Sequence, residues 1–94
     1  MILILANNER EYEHFRREMS IPPTICRRIR GLVDVQGLAK PDNTIVDITR
    51  PGPDMPPGEE LRARDAINYL LHKGFTIYNK KQFEKLRQDL QASR

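Results

Sequence analysis

The run Ile2-Leu3-Ile4-Leu5, closed by Ala6-Asn7-Asn8, constrains this chain more than any other stretch. Its apolar side chains do not alternate with polar ones, so both faces of the strand they predict must be covered, as in a parallel sheet flanked by helices. The predicted place of this strand is the middle of a sheet. The run is far too short to span a bilayer, and no basic stretch precedes it as a secretory signal requires. The expectation is a cytoplasmic protein without membrane contact.

Downstream, the pattern changes period several times. Asn8 and Glu11 have capping-box spacing, and Tyr12, Phe15 and Met19 recur at helical intervals, predicting a helix over Glu9 to Met19 that stops before Pro22-Pro23. From Thr24, Ile25 and Ile29 would share one strand face with Arg27, while Cys26 and Arg28 point the other way. Arg27, Arg28 and Arg30 suit an edge strand better than a buried one. Gly31 to Leu38 fits either a short helix or a continued strand, with a helical turn favoured. Lys40 to Asn43 reads as a turn, and Thr44 to Ile48 as a second compact strand.

Arg50 to Gly58 holds four prolines and two glycines in nine residues, where neither helix nor central strand persists. Glu59 and Glu60 then suit the positive end of a helix. Ala63, Ala66, Ile67, Leu70 and Leu71 mark its buried face, and His72-Lys73-Gly74 forms its stop signal, giving a helix over Glu59 to Lys73. Phe75 to Tyr78 is a further strand. Asn79 and Gln82 repeat the capping-box spacing ahead of Phe83, Leu86 and Leu90, which line one face of a last helix.

The predicted fold is therefore α/β, a three-layer sandwich with a short, mostly parallel four-stranded sheet. Its 94 residues allow one core, so residues 1–94 read as a single domain. BRCT domains share this element order, and Gly74-Phe75-Thr76-Ile77-Tyr78-Asn79-Lys80-Lys81-Gln82-Phe83 is similar to the end of such a domain. The BRCT phosphate-reading serine or threonine has no counterpart here, and the glycine that often follows the first strand is replaced by Asn7. The stretches from Met1 to Tyr12 and from Arg30 to Leu38 resemble small Rossmann-like proteins of unknown function from actinobacterial phages. That resemblance implies a phage accessory protein acting in a bacterial host cytoplasm; it brings no catalytic residue and no cofactor.

In open parallel sheets, ligands gather beyond the carboxyl ends of the strands. There the sequence places Asn7 and Asn8, Thr49 and Arg50, and Asn79, Lys80 and Lys81, which are the candidate residues for a nucleotide or phosphate ligand. Asn8 and Asn79 also account for themselves as caps, and no glycine-rich phosphate loop of standard spacing is present. Lys80 and Lys81 stand in a first helical turn, where cations oppose the helix dipole, so proximity to Arg50 would favour an anion site. Arg27, Arg28 and Arg30 are the candidate partner-binding residues, with protection against edge-to-edge aggregation as their plainer role.

Asp47 could be a metal ligand or a general base, but no histidine, cysteine or second acid lies near it in sequence, and a polar residue at a strand end is the simpler account. The lone Cys26 can form no internal disulfide or thiolate zinc site. A phosphatase loop around it would need arginine at position 32, which is Leu32. His14 and His72 read as surface residues, and no metal site or nucleophile, base and orienting group can be assembled from spacing.

The net charge of +3, from 16 basic and 13 acidic residues, permits an anionic partner without demanding one. Three function classes follow from the residues. The first is a non-catalytic interaction module that binds a host protein or self-associates through the arginine-bearing edge and the proline-rich segment. The second is a nucleotide or phosphate binder at the strand ends, and the third is a nucleic-acid binder, whose affinity should fall steeply with salt.

Overall fold

The computed structural model describes residues 1–50 and 55–92, so the prolines and glycine of 51–54 lie outside the described residues. Four strands, β1 (Ile2–Leu5), β2 (Cys26–Ile29), β3 (Thr44–Asp47) and β4 (Ile77–Tyr78), form one sheet in the order β2-β1-β3-β4. Every pairing is parallel, with Leu3 beside Arg27 on one side and Ile45 on the other. The uninterrupted apolar run thus occupies an interior strand.

The chain first steps from β1 outward to β2, then reverses across the sheet to β3 and β4. If the crossovers keep one hand, a reversal of direction must move the connection to the opposite face. The helices obey this. Helix α1 (Glu9–Glu18) covers one face, joined by α4 (Lys80–Ala92), whereas α2 (Leu32–Val35) and α3 (Pro57–His72) cover the other. Alternation along the strands divides the core accordingly. Leu3, Leu5, Ile29 and Ile45 pack with Val35, Ala63, Ala66 and Leu70, while Ile4, Ala6, Cys26 and Val46 pack with Tyr12, Phe15, Ile21 and Phe83.

Local chemistry sets most of the boundaries. Helix α3 begins two residues ahead of Glu59, because Pro57 at the first helical position has its φ preset and lacks an N–H that would go unpaired. It ends as Gly74, at φ +86°, passes its N–H to the Leu71 carbonyl while the Phe75 N–H bonds Leu70 O. Phe75 is consequently buried beneath α3 instead of opening a strand, and β4 shrinks to two residues. Helix α1 closes in the same way. Ser20 adopts φ 55° and Ile21 N–H bonds Arg16 O, seating Ile21 in the core.

One expectation about the arginine-bearing strand is corrected, and its continuation takes the favoured form. Pro22-Pro23 start a 3₁₀ turn over Pro23–Ile25, so Ile25 leaves the strand and stands 44% exposed instead of sharing a face with Ile29. Gly31 to Leu38 resolves as the short helix α2, whose Asp34 carboxylate accepts the backbone N–H groups of Arg30 and Gly31. Across β2, the Tyr12 hydroxyl lies 3.2 Å from Cys26 Sγ. Burial, reinforced by that contact, holds the Tyr12 phenol well above its ordinary pKa. Among the described residues, no helix is long and apolar enough to cross a membrane.

Candidate functional site

The strand order reverses between β1 and β3, and their carboxyl ends therefore diverge to leave a crevice. An open groove of about 940 Å³ lies there, between α1 and the start of α4, with Phe15 and Ile48 among its apolar lining. Asn8, Thr49, Arg50, Asn79, Lys80 and Lys81, drawn from three separate segments, all line it. Thr49 and Arg50 also border a smaller hollow of about 360 Å³ against α3.

Asn7 belongs to the same corner but not to the groove wall. Its buried side chain pairs with the backbone of Arg50 in both directions, Nδ2 donating to the carbonyl at 2.8 Å and Oδ1 accepting the N–H at 2.9 Å. Asn7 thus clamps the loop after β3 to the end of β1. The isosteric Asn7→Asp keeps the acceptor but sets a carboxylate against the Arg50 carbonyl, which is expected to lower stability by about 1–3 kcal/mol. Urea titration checks this, and an unchanged midpoint would show that the amide pairing is not formed.

The caps behave unequally. Asn79 and Gln82 make the full reciprocal box, with Gln82 N–H donating to Asn79 Oδ1 and Asn79 N–H to Gln82 Oε1. At α1 only half of it forms, since Asn8 Oδ1 accepts the Glu11 N–H but the Glu11 carboxylate turns to Arg50 at 3.2 Å. Asp47 is likewise committed. Its Oδ1 accepts both the N–H and the hydroxyl of Thr49, an Asx turn that ends β3.

Charge in the groove follows a simple pattern. The four carboxylates that line it all have partners: Asp47 on Thr49, Glu11 on Arg50, Glu13 on Arg16 and Arg17, and Glu18 on Lys80 at 3.4 Å. Arg10 and Lys81 line it as well, and among the described residues they form no ion pair. Unspent charge in the groove is therefore positive. Arg10 and Arg17 are groove residues that the strand-end pattern did not single out. Their spacing with His14 at i, i+4 and i+7 was the signal that they share one side of α1.

The edge candidates separate. Arg27 and Arg30 are exposed, as an edge strand predicts. Arg28 is not available to a partner, and this corrects the expectation. Its side chain is 7% exposed and turned inward, with Nη1 3.3 Å from Glu9 and Nη2 3.5 Å from Glu59 and 3.4 Å from the Ala6 carbonyl. The two glutamates lie in the first turns of α1 and α3, where the helix dipoles favour negative charge and hold them against the guanidinium.

Among the described residues, no group of three or more histidine, cysteine, aspartate or glutamate side chains could hold a metal ion. No protein-family model, no curated protein and no solved structure matches the chain. The geometry of the strand ends is accordingly the ground for a functional reading.

Proposed function

We propose that this protein is a binding module for a phosphate-bearing small molecule of the nucleotide class, held in the groove at the carboxyl ends of β1 and β3. The observation that carries this reading is the convergence of Arg50, Lys80 and Lys81 with Arg10 on one crevice whose carboxylates are already engaged. The volume of about 940 Å³ suits a ligand of that size, since small-molecule sites run to roughly 300–1,000 Å³. An incoming phosphate can take over Arg50 and Lys80 at little cost, because exposed ion pairs such as theirs contribute only about 0–1 kcal/mol. Carboxylates interleaved among the cations disfavour an extended nucleic-acid backbone, which needs an unbroken basic surface.

Thermal unfolding with adenosine triphosphate, guanosine triphosphate or pyrophosphate tests the proposal. A ligand at 100 times its dissociation constant is expected to add about 2.7 kcal/mol of stability. Arg50→Ala combined with Lys81→Glu should weaken it by about tenfold or more, the loss of two charge-assisted contacts. Absence of any shift across the three probes, or shifts that survive the double variant, would rule the groove out.

A further inference from the structure

The outer side of β2 plays no part in the groove. With the order β2-β1-β3-β4, β2 has a strand on one side only among the described residues, so alternate backbone N–H and C=O groups along Cys26–Ile29 face away from β1. Such a row is a template for another strand unless charge or cover blunts it. The inward turn of Arg28 removes one of the three arginines that the sequence offered as protection. Arg27 and Arg30 remain outside, and neither is neutralised closely. Arg27 donates only to the Asp34 backbone carbonyl, at 3.4 Å, while Arg30 lies 3.9 Å from Glu9, which is already shared with Arg28.

Exposed apolar side chains bracket the same strand. Ile25 immediately precedes it, and Val33, 85% exposed, sits in α2 beside Asp34, which is tied to the strand end by the Arg30 N–H at 2.8 Å. We propose that this edge takes up an extended, acidic segment of a partner protein as a fifth strand. Backbone pairing would supply the affinity and the charge pattern the selectivity. Strand alternation sets Arg27 on the face of Ile29 and α3 and Arg30 on the face of Cys26 and α1. Glutamates or aspartates at neighbouring positions of the added strand would then each find one arginine.

A second copy of this chain fits less well. In an antiparallel two-fold pairing centred on Arg27, the Arg27 side chains of the two copies would stand directly opposite each other, and like charges directly opposed destabilise a pair. The charge of the edge selects an acidic partner over itself.

The probe is a short N-acetylated peptide in which pairs of glutamates alternate with pairs of valines, so that both faces of the added strand carry acids, its binding followed by fluorescence anisotropy. Affinity is expected to fall roughly tenfold or more in Arg27→Glu/Arg30→Glu, and by a smaller factor in Arg27→Gln/Arg30→Gln, which serves if the reversal fails to fold. A lysine–valine peptide of equal strand propensity should bind the unaltered protein more weakly than the acidic one. Amides of Cys26–Ile29 should gain protection from hydrogen exchange when the acidic peptide is bound. No binding, equal binding of the two peptides, undiminished binding to the glutamine variant, or a concentration-dependent dimer that protects the same amides would each overturn the proposal.

Discussion

Phe83→Ala is expected to lower stability by about 3–5 kcal/mol, the range for deleting a fully enclosed aromatic side chain. Phe83 is 2% exposed, and its ring lies 5.9 Å from that of Phe15, tilted at 46°. It is the one fully enclosed side chain that α4 contributes among the described residues, with Leu86 only partly covered. The helix depends on it more than usual, because β4 has just two residues and offers few backbone bonds to hold the end of the chain. For a domain whose whole stability is about 5–15 kcal/mol, such a loss is large, and it should lower the melting temperature by roughly 4–8 °C for each kcal/mol. Helix α4 also carries Lys80 and Lys81, so the variant should weaken any groove ligand as well. Urea unfolding followed by circular dichroism measures the stability term. A loss below about 1 kcal/mol would mean that α4 is not anchored through this ring.

The second large effect is expected at Arg28. Removing one member of a buried ion pair costs roughly 3–5 kcal/mol, because the partner keeps its charge in a poorly hydrated place. Glu9 and Glu59 are 62% and 29% exposed, so water can recover part of that loss, and Arg28→Ala is expected to cost about 2–4 kcal/mol. Arg28 Nε is buried without a hydrogen-bond partner, which already subtracts from what the cluster contributes. Replacing the whole cluster, Arg28→Met with Glu9→Gln and Glu59→Gln, should therefore recover most of the stability lost in the single variant. Guanidinium unfolding is unsuited to a charge-dependent comparison, and urea titration of the parent and the two variants decides it. If Arg28→Ala proves as stable as the parent, the side chain serves the surface and not the junction of α1 and α3.

Local information sufficed for three of the helices. The identities of α1, α3 and α4 follow from apolar residues at helical spacing, and their ends follow from neighbours a few positions apart: Asn8 with Glu11, Asn79 with Gln82, Gly74 with Leu71. The same local logic misjudged Phe75 and Ile25. Each has strand-forming character, yet Phe75 is drawn under α3 by the turn at Gly74, and Ile25 is held in a 3₁₀ turn by the prolines before it. The candidate ligand residues were legible because a parallel sheet gathers its strand ends on one side, whatever the strand order.

Other features depended on partners far along the chain. The Asn7 clamp joins residues 43 apart, and the Lys80–Glu18 contact spans 62, separations at which no spacing rule applies. Arg28 read as an exposed edge residue until two helix starts, 19 and 31 residues away, were brought to it from opposite faces of the sheet.

What the sequence determined by itself was that Ile2 to Leu5 form an interior strand, since a run without polar interruption can be buried only on both faces. It also determined the parallel α/β class, because helices alternate with the strands. Only the tertiary structure decided the order β2-β1-β3-β4, the burial of Arg28 and which cations in the groove are left unpaired. Those outcomes rest on long-range pairings, and such pairings are chosen by the packing of the whole sandwich, not by any residue's neighbours in the chain.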